Sequence, residues 1–228
     1  SDAAMPGFLP KDKRVMDSRA FLDLTALPKS LLVLGGGVIG CEFACMAAAL
    51  GSKVTVVEML EDIVVVLDRD VRRVLRKRME SLGIAILAGA PLANIAVKKD
   101  KVVGTYKDQT VEGDVLLVAV GRRPNTAALD LARAGVKVDE RGTIPVDAQG
   151  RTNVASIFAV GDLVTGSIQL AHAATQQGVA AAEAAAGHKS KVESVCPSCI
   201  FTSPEIGLAG LTEAKAQQLG LAVKTVVF

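Results

Sequence analysis

At 228 residues, half of them hydrophobic, 22% charged and with a formal net charge of +2, the chain can form one large or two small folded domains. The near-neutral balance excludes a surface field that seeks nucleic acid or membrane, and 3% aromatic content without Trp excludes a base-stacking platform. No apolar run approaches the ~18 residues of a membrane span, and the N-terminus lacks a signal peptide's apolar core. Four cysteines without a framework spacing point to a reducing compartment, so the expected address is the cytoplasm.

Residues 1–29 hold Pro6, Gly7, Pro10 and Pro28 and read as a connector with one helical turn between Ala20 and Leu27. Leu31 to Leu34 form an uninterrupted apolar run, the pattern of a strand buried on both faces. Gly35, Gly37 and Gly40 follow as G-x-G-x-x-G, with Gly36 as an additional glycine in the turn. Helical spacing runs from Val38 to Leu50 and ends at Gly51. Lys53 to Val57 are a second strand, and Glu58 stands at its end, eighteen positions beyond Gly40. In this context the first glycine permits a tight turn, the second lets the backbone approach a pyrophosphate, and the third lets helix and strand pack closely. The helix N-terminus offers unpaired N–H groups and the positive end of its dipole to phosphates. A carboxylate at Glu58 suits the adenosine ribose diol and opposes the 2′-phosphate of NADP, and Met59, Leu60, Glu61 and Asp62 bring no arginine. Two like charges ~4 Å apart cost roughly 1 to 4 kcal/mol, enough to select NAD.

Asp68 is placed to cap a helix that runs to Leu82, with Gly83 as its stop. Val71, Val74, Leu75, Met79 and Leu82 share one face, and Arg72, Arg73, Arg76, Lys77 and Arg78 the other, which reads as solvated. Ile84 to Leu87 suit a third parallel strand. Asn94–Val97, Val102–Tyr106 and Thr110–Glu112, joined by Lys99-Asp100 and Lys107-Asp108, read as an antiparallel meander. Asp114 to Val120 return as a buried strand that ends at Gly121, where open α/β sheets bind ligands. Arg122 and Arg123 beside it fit ligand anchors and solvated loop residues equally well. A short helix up to Gly135, strands at Thr143–Val146 and Ile157–Asp162, and an alanine-rich helix from Gln169 to Ala186 follow. The Gly161-Asp162 pair puts a carboxylate where it can accept hydrogen bonds from a polyol or cap a helix. A strand from Phe201, a helix over Glu213–Leu219 and a strand over Val223–Phe228 close the chain.

These stretches, together with AVGRRPN at 119–125, T-x5-FAVGD at 152–162, LAHAA at 170–174 and FTSPEIGLAGLTE at 201–213, resemble the class I pyridine nucleotide-disulfide oxidoreductases, most closely the dihydrolipoamide dehydrogenases. The resemblance implies a Rossmann-like parallel α/β sheet with an antiparallel β-meander, half of a split FAD domain and the start of an α+β interface domain. Its divisions are a connector at 1–29, an NAD-binding domain at 30–120, a returning FAD segment at 121–192 and a truncated dimerisation domain at 193–228. It implies that Gly35, Gly36, Gly37, Val38, Ile39 and Gly40 hold the NAD pyrophosphate and that Glu58 holds the ribose. Glu42, Ala119, Val120, Gly121 and Arg122 would line the nicotinamide half, with Glu42 also readable as an ordinary first-turn glutamate. On the FAD side, Gly161 and Asp162 would meet the ribitol, and Leu170 and Ala171 the flavin. Pro91 departs from the family, because it has no N–H to offer the adenine.

The same resemblance implies a parent flavoenzyme that passes electrons from a dithiol through a disulfide and FAD to NAD. Its expected partners are NAD(H), the other half of the FAD domain, a second copy in a homodimer, and a 2-oxoacid dehydrogenase complex. The family's Cys-x4-Cys redox pair has no counterpart here, and its catalytic His and Glu would lie beyond Phe228, so the chain alone is expected to be inactive. His172 and His188 match neither catalytic group. Cys41 and Cys45 fit small buried residues of a close-packed helix. Cys196-Pro197-Ser198-Cys199 has thioredoxin-type spacing without the strand–helix context, so a structural reading stands beside a redox or metal one. The alternatives are a mercuric- or glutathione-reductase-like enzyme and a stand-alone NAD-binding module.

Overall fold

The structure is a computed structural model that describes residues 1–192 and 195–228; the expected domain boundary at 193 falls outside the described residues. The chain divides into two compact units, one formed by Ala3–Gly121 with Cys199–Phe228, the other by Ser1–Asp2 with Arg122–Ser198. In chain order the strands and helices up to Gly121 are β1 (Asp2–Ala3), β2 (Val15–Met16), α1 (Ser18–Leu22), β3 (Ser30–Leu34), α2 (Val38–Ala49), β4 (Lys53–Glu58), α3 (Arg69–Ser81), β5 (Ala85–Ala88), β6 (Leu92–Lys98), β7 (Lys101–Tyr106), β8 (Gln109–Gly113) and β9 (Val115–Val118). After these come β10 (Arg122–Arg123), α4 (Ala171–Ala185), β11 (Ser198–Ile200), β12 (Ile206–Leu208) and α5 (Glu213–Gln218).

The larger unit is built on a five-stranded parallel sheet in the order β2-β9-β3-β4-β5. The apolar strands β3, β4 and β9 run through its centre, and their period-two alternation sends side chains to two different cores. Leu31, Val33, Val54, Val56, Val115 and Leu117 face α1, α2 and α3, where they meet Phe21, Ala44, Leu75 and Met79. Leu32, Val57, Leu116 and Val118 face the antiparallel sheet β6-β7-β8, where Leu92, Val102 and Tyr106 cover them. Helices on one face and a meander on the other therefore complete a three-layer unit. Helix α2 can lie close to the sheet because its buried positions are Gly40, Cys41, Ala44, Cys45 and Ala47, all small.

Residues 1–29 do more than connect: β2 pairs with β9 at the sheet edge, and Asp17 caps α1 by accepting from the Ala20 N–H. Phe21 then meets Phe43 of α2 edge-on at 5.5 Å between ring centroids. Beyond Cys199, Ile200 is buried in the helix-side core, and Ile206 and Leu208 pack against it. The strand expected from Phe201 lies earlier, as β11, and Val223–Phe228 forms no strand, because a strand needs a ladder partner that this segment does not find.

The smaller unit has a modest core of Val136, Ile144, Ala159 and Val164. The helix expected up to Gly135 is a single 3-10 turn, Ala127–Leu129, stopped by Asp130 in the left-handed region at φ +49°. The strands expected at Thr143–Val146 and Ile157–Asp162 are reduced to isolated bridges, Ile144 with Val164 and Arg151 with Phe158. Two aspartate-held loops take their place. Asp139 accepts from the N–H groups of Arg141 and Thr143, and Asp147 accepts from those of Gln149 and Arg151. Each loop passes through a positive-φ glycine, Gly142 and Gly150. The alanine-rich α4 buries Ala173, Ala180, Ala181 and Ala184. Among the described residues, no helix is long and apolar enough to cross a membrane, and no cluster of three metal-ligating side chains occurs.

Candidate nucleotide site

The turn between β3 and α2 emerges at the C-terminal edge of the parallel sheet, beside the end of β4. Gly35 sits at φ +108°, and a Cβ there would lie 2.5 Å from the Ala119 carbonyl oxygen, so a side chain is excluded twice over. Just past the end of β9, Ala119 donates its N–H to the Leu34 carbonyl at 2.8 Å and so flanks the turn. A Cβ on Gly40 would meet the Gly35 oxygen at 1.9 Å, so α2 can approach the turn only through a glycine. Gly36 is also constrained, because a Cβ would meet Ile63 Cγ2 at 2.8 Å and Glu58 Cβ at 3.0 Å. That packing was invisible as spacing; the apolar run Ile63–Val66 just after Glu58 was its only trace.

Gly37 differs from all of these. Its φ of −72° is open to any residue, and a Cβ would meet nothing within 4 Å. No protein neighbour requires glycine there, so the space above the turn is left open. Gly37 supplies α2 with no side-chain cap, so the N–H groups of Val38, Ile39 and Gly40 lack intrahelical acceptors and point out of the helix end. The residues present therefore fit a diphosphate.

Glu58 is fixed by the backbone it adjoins. Its Oε2 accepts from the Gly36 N–H at 2.6 Å and its Oε1 from the Leu60 N–H at 2.8 Å. An ionised carboxylate keeps further lone pairs, so both oxygens can still accept from a vicinal diol. A cavity of about 120 Å³ opens here, lined by Gly36, Gly37, Val38, Glu58, Leu60 and Asp62 among others. Asp62 accepts from Arg76 at 2.9 Å and pairs with Arg72 at 3.6 Å. Arg72 and Arg76 are thus not part of a solvated face, contrary to the sequence expectation. Burial works against the Arg76 charge, but the Asp62 and Glu80 carboxylates outweigh it and raise its pKa.

Glu42 lies in the first turns of α2 and has a partner the sequence did not reveal: its Oε1 accepts from the Phe201 N–H at 2.8 Å. Val120 is exposed, and Gly121, at φ +111°, accepts from the Ala4 N–H at 2.9 Å. Arg122 belongs to the smaller unit, where its guanidinium donates to Ser1 and lies 4.0 Å from Asp162. In that unit Asp162 also accepts from the Ser1 hydroxyl, and the Gly161 N–H donates to Gln177 Oε1 at 2.6 Å. Leu170 is the N-cap position of α4 and Ala171 its first residue.

The thiols of Cys41 and Cys45 are buried, and burial first, then neighbouring charge, pushes the Cys41 thiol well above the ordinary range. Desolvation raises Cys45 as well. Both are poor nucleophiles at neutral pH. Cys196 is half-buried and Cys199 exposed, and both are free thiols. His172 Nε2 lies 2.6 Å from the Pro197 oxygen.

A parallel sheet layered between helices and a meander, with a glycine turn at the end of its central strand, places the larger unit in the Rossmann class of α/β folds. Comparison with known proteins makes the class specific. The pyridine nucleotide-disulphide oxidoreductase family matches residues 2–178, and the dimerisation domain of that family matches 196–228. The chain belongs to the pyridine nucleotide-disulphide oxidoreductases. It is 44% identical over 224 residues to a dihydrolipoyl dehydrogenase of Chlamydia pneumoniae, covering 98% of this chain and 48% of the relative. Against a dihydrolipoyl dehydrogenase of Haloferax volcanii it is 42% identical over 222 residues, covering 95% and 47%. Among solved structures, LpdA from Mycobacterium tuberculosis superposes with a TM-score of 0.89 at 31% identity, covering 97% of this chain and 49% of that one. The HOCl-induced flavoprotein disulfide reductase RclA from Escherichia coli gives 0.87 at 30%, covering 95% and 51%. The chain thus spans about half the length of the curated relatives it matches.

Proposed function

We propose that this chain is the NAD-binding portion of a flavin-dependent dihydrolipoamide dehydrogenase, in which electrons pass from a dithiol through a disulfide and FAD to NAD. The observation that carries the reading is the open space over Gly37 beside a carboxylate already oriented by two backbone N–H groups. Gly35–Gly40 would receive the pyrophosphate on the exposed amides of α2, and Glu58 would accept from the adenosine ribose hydroxyls. Ala119, Val120, Gly121 and Arg122 are assigned to the nicotinamide half, with Glu42 next to it. Gly161, Asp162, Leu170 and Ala171 are assigned to FAD, and residues from 196 onward to a homodimer interface. The nicotinamide supplies hydride acceptance when bound; these side chains orient it, exclude the 2′-phosphate and shape the electrostatic surroundings. The family's Cys-x4-Cys pair is absent from this sequence, so the chain by itself should not oxidise dihydrolipoamide, even with added FAD. A cytoplasmic address suits its four free thiols.

The test is calorimetric titration of the chain with NADH and NADPH, and of Gly37→Val with NADH. Saturable NADH binding, weaker NADPH binding, and loss of NADH binding in a folded Gly37→Val variant support the assignment. Equal affinity for the two nucleotides, or a Gly37→Val variant that binds normally, contradicts it. The structural likeness to RclA, a flavoprotein disulfide reductase, favours one competing reading, a disulfide reductase of the same family other than a dihydrolipoamide dehydrogenase. Turnover of the parent enzyme on lipoamide against other disulfides separates the two.

A further inference from the structure

The adenosine end of the cavity holds more charge than Glu58 alone. Asp62 lines the same cavity as Glu58, Gly36 and Gly37. Its Oδ1 accepts from the N–H of Ile63 at 2.9 Å and from Arg76 Nη1 at 2.9 Å, and its Oδ2 lies 3.6 Å from Arg72 Nη1. The two arginines are neighbours one turn apart on α3. Arg76 also reaches Glu80 at 3.0 Å, whereas the Arg72 Nε is buried without a hydrogen-bond partner. The Arg72 side chain is only 14% exposed, so solvent screens it little. Two guanidinium groups are therefore held on Asp62, one of the two carboxylates that line the cavity, and neither arginine lines it itself. A 2′-phosphate would be repelled by Glu58 and drawn by any arginine free to turn toward it.

We propose that Asp62 is a specificity-determining residue: it holds Arg72 and Arg76 in ion pairs and so keeps their charge from a 2′-phosphate, reinforcing the selection of NAD by Glu58. The proposal rests on the nucleotide reading given above. It assigns discrimination to a carboxylate that acts through the arginines it holds.

The full chain and its Asp62→Asn variant are titrated with NADH and with NADPH, following nicotinamide fluorescence. The wild type should prefer NADH, and Asp62→Asn should shift the NADPH-to-NADH affinity ratio toward NADPH by about tenfold, roughly what one incompletely screened charge pair supplies. Adding Arg72→Gln and Arg76→Gln to Asp62→Asn should reverse that shift. If Asp62→Asn does not fold, Arg72→Gln alone serves. It leaves Asp62 with one cation fewer and should lower the NADPH-to-NADH ratio a few-fold. A wild type that binds both nucleotides while neither variant changes the ratio overturns the role of Asp62 and leaves the nucleotide site standing. A wild type that binds neither nucleotide removes the site and this proposal together.

Discussion

Gly37 and Gly40 stand three residues apart in one turn, yet different neighbours constrain them. Gly40 is fixed from within, because a methyl group there would overlap the Gly35 oxygen. Gly40→Ala should therefore destabilise the larger unit by about 1 to 3 kcal/mol, the ordinary cost of forced overpacking, read from a urea melt. Gly37→Ala should leave that melt unchanged, since its Cβ meets open space at a permissive φ. Glu58 combines the two kinds of constraint. Glu58→Ala removes acceptors from the N–H groups of Gly36 and Leu60 and should cost roughly 1 to 3 kcal/mol of stability beside any loss of nucleotide affinity. Glu58→Gln, which keeps one carbonyl acceptor, should recover part of the stability. At this scale the sequence disclosed the glycine spacing and the acid at the end of β4, because both are dictated by local backbone geometry. It did not disclose that Gly36 packs on Ile63, that Glu42 holds Phe201, or that Arg72 and Arg76 are bound to Asp62. Each of these depends on a tertiary neighbour that no periodicity encodes.

Among the elements, α3 shows how far a hydrophobic stripe can be trusted. Leu75 and Met79 are fully buried, whereas Val71 and Val74 on the same stripe remain partly open, at 37% and 58% exposure. They line a shallow cavity with Pro204 and Ile206. Leu75→Ala should cost about 2 to 5 kcal/mol in a urea melt, and Val74→Ala well under half of that. Strands β3, β4, β5 and β9 and helix α2 lie within a residue or two of their expected bounds, because apolar runs bounded by glycines specify them. The smaller unit was less legible. Thr143–Val146 and Ile157–Asp162 carry strand-like composition, but no neighbouring ladder within their own unit completes them. Two aspartate loops eight residues apart do that organising instead. The Thr143 hydroxyl and N–H groups hold the Asp139 carboxyl below its ordinary value of 3.8. A folded-state pKa lowered in this way gives stability that is present above the ordinary carboxylate pKa and lost as pH falls through the lowered value. Asp139→Asn should accordingly flatten the loss of protection of residues 139–165 below about pH 4, followed by amide exchange.

As a whole molecule, the chain should not unfold in one step. The larger unit has two extensive cores, one on each face of the sheet, whereas the smaller one buries four residues in its own cluster. Amide exchange should be slowest in β3, β4 and β9 and much faster through residues 122–192, and uniform slow exchange over both would contradict the division. Ile200 extends the larger core beyond the dinucleotide fold proper, so Ile200→Ala should lower the melting of β3 and β4, not only that of the segment around it. The proposed nucleotide site is centred on the turn at Gly35–Gly40, so the decisive measurement is made there. Backbone amide resonances of Gly36, Gly37, Val38 and Leu60 should shift saturably as NADH is titrated into the isotope-labelled chain, with the Gly36 and Leu60 shifts altered in Glu58→Gln. Resonances of these four residues that stay unmoved at millimolar NADH would contradict the nucleotide site.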